Sequence, residues 1–178
     1  VLFLSDNGAH PPGVNQGGDY PGDYGQLKVG NDNTPLRGYK SGVYEGGIRT
    51  PGLAVWPGKL KPGAVVNTPL HVADWMPTFC GLAGAKPAGD LKWDGMDIRP
   101  VLADPDKNWP LRTLYSASPG FRTQMVRHGD WKLVVTSTES KKSRGTPATT
   151  AELFDLATDL GETKNLWKEQ PELVAELT

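Results

Sequence analysis

The sequence predicts two units, an α/β unit followed by a small α+β unit with an antiparallel sheet. Residues 1–90 begin with an uninterrupted apolar run, typical of a strand covered on both faces, and contain one amphipathic helical pattern. From Thr113 onward, short strand-like segments alternate with turn residues, which is typical of antiparallel strands. A stretch rich in Gly, Pro and Lys separates the two patterns, so we predict units at 1–90 and 91–178.

Composition limits the class of protein. Of the 178 residues, 37% are hydrophobic and 22% are charged, which is typical of a globular protein, and no apolar run reaches the roughly 18 residues of a membrane span. With 19 basic against 20 acidic residues, the net charge of -1 does not indicate binding to nucleic acid or to an anionic membrane. The single cysteine, Cys80, excludes an internal disulfide.

The first unit opens on a strand and continues into a long loop. Residues 1–4 are all apolar and predict a central strand. Residues 9–34 are rich in Gly, Pro, Asn and Asp without periodicity, so we expect a surface loop near the functional site. A short helix is predicted within residues 36–47, where a Gly-Gly pair ends it, and a strand pattern resumes over residues 48–56.

An amphipathic helix follows in the same unit. Asp74 is the predicted N-cap, because a short polar side chain there can accept a backbone hydrogen bond. Trp75, Phe79 and Leu82 share one face at helical spacing, and Gly84 is the predicted end of the helix.

The second unit contains a hairpin, a further strand and a terminal helix. Residues 123–127 and 131–136 are strand-like and flank a turn at 128–130, which predicts a β-hairpin. Residues 152–156 predict another strand, and residues 171–177 predict a helix with proline at its first position.

Asp6 and Asn7 stand side by side where the first strand ends. Open α/β sheets bind ligands at this end of their strands, and two oxygen donors without Cys or His suit calcium or magnesium better than zinc. Ser, Asp, Asn and Gly are also the residues that favour a simple turn. Local sequence therefore leaves two interpretations open, a metal site and a bare turn.

A second candidate stretch, NTPLRGYKSGVYEGGIRTP, covers residues 33–51. The ammonium of Lys40 can hold one oxygen of a tetrahedral anion, although most lysines are simply solvated. Glu45 is a candidate general acid or base, and its position fits an ion pair with Arg37 or Arg49 equally well.

Taken together, these stretches carry a family resemblance. SDNG followed by N-x-P-L-R-G-x-K-x-x-x-x-E-G-G-x-R-x-P resembles the C-terminal half of the catalytic domain of type I sulfatases, the formylglycine-dependent sulfuric ester hydrolases of the alkaline-phosphatase-like superfamily. Further similar stretches follow in the family's order and extend the resemblance over nearly the whole chain: HVADWMPTFCGLAG, DGMDIRPVL, VRHGDWKLV and ELFDLATDLGETKNL.

The resemblance implies a fold, an activity and site residues. The fold would be the C-terminal part of an alkaline-phosphatase-like α/β/α sulfatase domain, with a small C-terminal α+β subdomain that contains an antiparallel sheet. The activity would be hydrolysis of a sulfate ester on an aryl or carbohydrate substrate. Asp6 and Asn7 would bind the divalent cation, usually Ca²⁺ with Mg²⁺ possible, and Lys40 would contact the sulfate. The family is typically periplasmic or extracellular.

The family's nucleophile is not expected within this chain. Sulfatases make formylglycine from Cys or Ser in a C/S-x-P/A-x-R motif, but Cys80 is followed by Leu82 and Gly84 at the positions that require Pro or Ala and Arg. On an apolar helix face, Cys80 is instead typical of a small core residue. We therefore expect the nucleophile upstream of Val1, and this chain alone to be inactive.

The histidines and the alternative functions complete the sequence-based expectations. His10 follows the metal pair closely and is a candidate substrate contact, although its proline-rich loop offers little rigid support. His71 and His128 are expected at a helix entry and a hairpin turn. Phosphatases and phosphonate monoester hydrolases share the fold but typically carry Asp-His where this chain has Asp6 and Asn7. A non-catalytic relative that binds sulfated glycans is the third alternative.

Overall fold

A computed structural model describes most of the chain as two compact units. One unit contains Val1–Phe3 with Leu53–Arg112, and the other contains Leu4–Gly52 with Thr113–Thr178. These units do not coincide with the division predicted at residue 90, which stays a prediction. The described residues are 1–14, 28–29, 32–86, 91–107, 109–137 and 149–178.

The larger unit is built on an antiparallel sheet of four strands in sequence order. The predicted hairpin is confirmed, because β6 and β7 pair from Thr123 opposite Thr136 to His128 opposite Trp131. The predicted terminal helix α4 (Pro171–Leu177) is also confirmed and has its proline in the first turn. The strands are β5 (Thr113–Ala117), β6 (Thr123–His128), β7 (Trp131–Ser137) and β8 (Thr149–Asp155).

A hydrophobic core joins this sheet to the short helix α1 (Glu45–Ile48). Burying each large apolar side chain contributes roughly 1.5–3 kcal/mol, so the core fixes the segment that carries α1 against the sheet. Tyr44 and Ile48 pack against the core from either side of Glu45. The buried core residues are Val43, Met125, Val134, Phe154 and Leu156.

Beside the core lies a cluster of buried charges. Lys132 on β7 is completely buried, with Nζ 2.9 Å from Oε1 of Glu45 and 2.8 Å from Oε1 of Glu162. Glu162 in turn accepts a hydrogen bond from the backbone N–H of Glu45 at 2.7 Å. Burial raises the pKa of Glu162, although the Lys132 ammonium acts to lower it. These contacts fix the start of α1 by charge as well as by packing.

Two small sheets involve the beginning of the chain. The strand predicted from the apolar run is present as β1 (Leu2–Leu4), which pairs with β4 (Gly52–Ala54). Phe3 is nevertheless 56% exposed, so the described residues do not cover this strand on both faces. Within the predicted loop 9–34, β2 (Gly13–Val14) pairs with β3 (Lys28–Val29), while residues 15–27 and 30–31 lie outside the described part.

The smaller unit contains the predicted amphipathic helix, α2 (Trp75–Ala83). Asp74 is at the predicted N-cap position of α2, but its side chain makes no capping hydrogen bond to that helix. Its carboxylate instead accepts the His71 backbone N–H at 2.7 Å, and His71 caps the 3-10 turn that precedes α2. That carboxylate is fully buried and bound by both Nη atoms of Arg112 at 2.7 and 2.8 Å. Gly84, with φ of 66°, ends the helix as predicted.

The remaining helix of the smaller unit is α3 (Arg99–Ala103). Cys80 lies in α2 as a partly buried free thiol. In the part of the chain that the structure describes, no helix has both the length and the apolar character needed to cross a bilayer.

Candidate functional site

A cleft of about 520 Å³ lies in the larger unit, next to the end of β1. Asn7 and His10, from the opening stretch of the sequence, and Lys40, from the stretch 33–51, all line this cleft. Asp6 is exposed and is not part of the lining. The other polar lining residues are Ser5, Asp32, Asn33, Thr34 and Arg49.

The turn that follows β1 is organised by its own polar groups. Asp6 Oδ1 accepts the backbone N–H of Asn7 at 3.0 Å, and the Asn7 side-chain amide donates to the Gly8 carbonyl at 2.9 Å. Ser5 Oγ donates to the Asn7 carbonyl at 3.0 Å. No described residue donates a hydrogen bond to Asp6 Oδ2 or to Asn7 Oδ1. The turn therefore presents two oxygen atoms that can still accept a ligand.

These two oxygens fit a hard divalent cation in type but not in number. A carboxylate and an amide oxygen are ligands that calcium and magnesium prefer, yet calcium takes six to eight ligands. Among the described residues, no group of three or more His, Cys, Asp or Glu side chains is close enough to hold a metal ion. Asp6 and Asn7 can thus supply only part of a coordination shell.

Lys40 lines the cleft from the stretch 33–51, across from the turn after β1. Its side chain is exposed, and no carboxylate among the described residues pairs with its ammonium. Its backbone N–H donates to the Ala9 carbonyl at 2.9 Å. This bond ties the segment of Lys40 to the chain that leaves the Asp6–Asn7 turn.

His10 lies at the edge of the same cleft. The side chain is exposed, and its Nδ1 lies 3.0 Å from the Pro11 carbonyl oxygen. Its role as a substrate contact stays a prediction. The other two histidines occupy the predicted structural positions, because His71 caps the turn before α2 and His128 ends β6, with Nδ1 3.1 Å from Thr113 Oγ1.

Glu45 is part of the buried charge cluster rather than of the cleft. It is 2% exposed and is contacted by Lys132 at 2.9 Å and by Arg49 at 3.3 Å. One of the two predicted ion pairs, Glu45 with Arg49, is therefore confirmed. The other predicted partner, Arg37, instead contacts Glu152 at 3.0 Å. This environment favours the structural interpretation of Glu45 over an acid–base role.

Close backbone contacts explain the glycines of both stretches. Gly8 donates its N–H to the Gly47 carbonyl at 2.9 Å, and a β-carbon at Gly8 would overlap the carbonyl oxygen of Gly46. A β-carbon at Gly46 would likewise overlap the carbonyl oxygen of Gly38. Only glycine allows such an approach, so α1 and the turn after β1 are held in direct contact.

Asn33 and Arg49 are among the cleft residues that sequence reasoning did not assign to a site. Asn33 stands before Thr-Pro and is typical of a turn, so nothing local to it indicated a site. Its only signal was its place at the start of the NTPLRGYK stretch. Arg49 was predicted solely as a partner of Glu45, yet it also lines the cleft.

Comparison with known proteins identifies the family. The sequence model of the family described as Sulfatase matches residues 1–85. These residues belong to the sulfatase family. Arylsulfatase A of Bos taurus is 32% identical over 197 residues, which covers 99% of this chain and 35% of that protein. Steryl-sulfatase of Mus musculus is 40% identical over 102 residues, or 57% of this chain and 15% of that protein.

The solved structures of sulfatases agree with the predicted fold class. The structure of Ps i-CgsB in complex with k-i-k-neocarrahexaose matches 99% of this chain and 34% of that chain, with a TM-score of 0.69 and 26% identity. The α/β fold class predicted from the sequence is thereby confirmed. This chain spans about a third of the length of Ps i-CgsB and of arylsulfatase A.

Proposed function

We propose that the full-length protein is a sulfuric ester hydrolase and that the cleft around Asn7 and Lys40 forms part of its active site. The observation that carries this proposal is the meeting of Asn7, His10 and Lys40 in one cleft of a sulfatase-family chain. The hydrogen bond from the backbone N–H of Lys40 to the Ala9 carbonyl, at 2.9 Å, supports this proposal because it connects the two sides of the cleft.

Asp6 and Asn7 are the proposed protein ligands for Ca²⁺, with Mg²⁺ as the alternative. Asp6 Oδ2 and Asn7 Oδ1, which accept no hydrogen bond from the described residues, match this use, and the remaining ligands would come from outside the described residues. When bound, the cation would polarise an oxygen of the sulfate group as a Lewis acid. The hydrogen bonds within the turn would hold both ligand side chains in place before the cation binds.

Lys40 is the proposed contact for the sulfate group. Negative charge builds up on the departing ester oxygen and on the sulfuryl oxygens as the S–O bond breaks. A fixed ammonium beside these oxygens stabilises that charge, and such preorganised contacts supply a large part of many rate enhancements. His10, at the edge of the cleft, is proposed to contact the part of the substrate that carries the ester.

The nucleophile is proposed to be a formylglycine outside these 178 residues. Cys80 does not fit the modification motif, and it lies in α2 rather than in the lining of the cleft. A formylglycine would supply the attacking oxygen, whereas the residues of this chain would bind and orient the sulfate.

The proposed substrate is a sulfated carbohydrate or an aryl sulfate. The relative in complex with neocarrahexaose favours the carbohydrate, and the arylsulfatase relatives favour the aryl ester. A periplasmic or extracellular location is part of the same proposal. The pairing of Asp6 with Asn7, rather than with a histidine, favours sulfate over phosphate as the group that is removed.

A paired assay tests the proposed reaction. The full-length protein is incubated with 4-nitrophenyl sulfate and with 4-nitrophenyl phosphate, with and without a chelator of divalent cations. We expect faster hydrolysis of the sulfate and loss of that activity with the chelator. Faster phosphate hydrolysis would instead assign the protein to the phosphatases, and no hydrolysis of either ester, or of sulfated oligosaccharides, would favour a binding protein.

A further inference from the structure

We propose that Asn33 is a positioning residue that locks the two sides of the cleft together. Its Oδ1 accepts the backbone N–H of Ala9 at 3.2 Å, and its Nδ2 donates to the backbone carbonyl of Gly38 at 2.9 Å. Ala9 lies two residues after Asn7, and Gly38 lies two residues before Lys40. One side chain therefore bridges the segment that carries the proposed cation ligands and the segment that carries the proposed sulfate contact.

A second bond closes the bridge into a ring. While Asn33 binds the N–H of Ala9, the backbone N–H of Lys40 binds the carbonyl of the same residue at 2.9 Å. Both polar backbone groups of Ala9 are thus held by the segment across the cleft. The chain cannot shift at Ala9 without breaking a bond to Asn33 or to Lys40.

The bridge requires an amide. Ala9 offers only a donor and Gly38 only an acceptor at these contacts, so the bridging group must accept on one side and donate on the other. An asparagine side chain does both. An aspartate of the same shape would keep the bond to Ala9 but would place a carboxylate oxygen against the Gly38 carbonyl. It would also add negative charge to a cleft proposed to receive an anion.

Asn33 acts on the reaction through its neighbours rather than by direct contact. Its oxygen and its nitrogen each face a backbone partner, although the side chain lines the cleft. A misplacement of about 1 Å at a reacting group can cost roughly 100-fold in rate. Loss of the bridge should therefore lower kcat by releasing the Lys40 segment from the turn, an expectation that rests on the proposed sulfatase function.

The chain supplies a matched control in Asn165. Its Oδ1 accepts the backbone N–H of Leu153 at 3.0 Å, and its Nδ2 donates to the carbonyl of Ala151 at 3.3 Å. Asn165 thus also bridges two backbone groups, both of them on β8, and its Oδ1 accepts the Trp167 N–H as well. It does not line the cleft. If the loss of an asparagine bridge lowered kcat only by destabilising the fold, replacing Asn165 with alanine should lower kcat as replacing Asn33 does.

The experiment compares Asn33→Ala, Asn33→Asp and Asn165→Ala in the full-length protein. Thermal unfolding is measured first, and kcat and KM for 4-nitrophenyl sulfate are then measured at a temperature where all variants are folded. We expect both Asn33 variants to lower kcat about 10-fold or more, in the range of a misplaced catalytic group, while Asn165→Ala keeps the wild-type kcat. A wild-type kcat in Asn33→Ala, or equal losses in Asn33→Ala and Asn165→Ala, would overturn the inference.

Hydrogen–deuterium exchange separates this inference from the proposed function. In Asn33→Ala, the amides of Ala9 and Lys40 should exchange faster than in the wild-type protein, and in Asn165→Ala they should not. Faster exchange in a protein that hydrolyses no sulfate ester would contradict the proposed function and support the bridge. Unchanged exchange at both amides would contradict the bridge whatever the activity.

Discussion

The ammonium of Lys132 is completely buried and lies 2.9 Å from Oε1 of Glu45, the first residue of α1. This ion pair connects the central part of the antiparallel sheet to the helix whose glycines touch the turn after β1. The second carboxylate of the cluster, Glu162, binds both partners, Lys132 through Nζ and Glu45 through its backbone N–H. The position of the cleft therefore depends on buried charge in the sheet.

Replacing Lys132 with methionine tests this dependence. The change keeps most of the side-chain volume but leaves Glu45 and Glu162 buried without their common cation, and breaking a buried pair in this way costs about 3–5 kcal/mol. Lys164 pairs with Glu169 at 3.4 Å on the surface, so Lys164→Met should cost about 1 kcal/mol or less. Urea unfolding followed by tryptophan fluorescence measures the stability of both variants. Equal unfolding midpoints for Lys132→Met and Lys164→Met would contradict the role of the cluster.

Gly8→Ala tests the contact between α1 and the turn. The added β-carbon would overlap the Gly46 carbonyl oxygen, so the Asp6–Asn7 turn must move, at a cost of about 1–3 kcal/mol typical of overpacking. At Gly42 a β-carbon would meet only the Tyr39 carbonyl oxygen, at 3.1 Å, and Gly42→Ala is the milder control. We expect Gly8→Ala to reduce both the thermal midpoint and calcium affinity, and an effect no larger than that of Gly42→Ala would refute the expectation.

Tyr44 should titrate abnormally. Burial, reinforced by its hydrogen bond to Glu152, raises the pKa of Tyr44 from 10.0 to about 12. Because the folded-state pKa is the higher one, the stability from protonated Tyr44 is fully present below pH 10 and is lost as the pH rises through 12. The difference in tyrosinate absorbance between the wild-type protein and Tyr44→Phe measures this titration, and a midpoint near 10 would contradict the buried geometry.

Lys40→Ala tests the sulfate contact. Loss of a charge that acts on the transition state should lower kcat for an aryl sulfate about 10-fold or more. Lys168→Ala removes an exposed lysine that does not line the cleft and should leave kcat unchanged. Equal kcat values for Lys40→Ala and the wild-type protein would remove Lys40 from the proposed site.

The sequence predicted those elements whose signals are local. The hairpin around residues 128–130 and the helix that begins at Pro171 follow from turn residues and proline geometry, and the structure confirms both. Asp74 occupies the predicted N-cap position of α2, but its carboxylate is bound by Arg112, 38 residues further along the chain, and makes no capping bond to the helix. A charge pair between residues so far apart in the chain cannot be predicted from a short sequence window.

The candidate site was likewise predictable only in part. Asp6, Asn7 and Lys40 came from the family resemblance, since their local sequence allowed a bare turn and an ordinary surface lysine. The bridge from Asn33 to Ala9 joins residues 24 positions apart, and the contact from Lys132 to Glu45 joins residues 87 apart. These contacts exist only when the segments have folded together, so no periodicity or spacing could indicate them.

Calcium binding by Asp6→Ala and Asp32→Ala tests whether the turn after β1 supplies a ligand to the proposed cation. Asp32 lines the cleft and Asp6 lies beside it. Each accepts a backbone N–H through Oδ1, Asp32 from Thr34 at 2.7 Å and Asp6 from Asn7 at 3.0 Å, but only Asp6 is proposed as a cation ligand. Isothermal titration of the full-length protein with Ca²⁺ gives the affinity of each variant. We expect Asp6→Ala to weaken Ca²⁺ binding by at least about 10-fold and Asp32→Ala to bind Ca²⁺ as the wild-type protein does. Unchanged Ca²⁺ affinity in Asp6→Ala would contradict the assignment of Asp6 as a cation ligand.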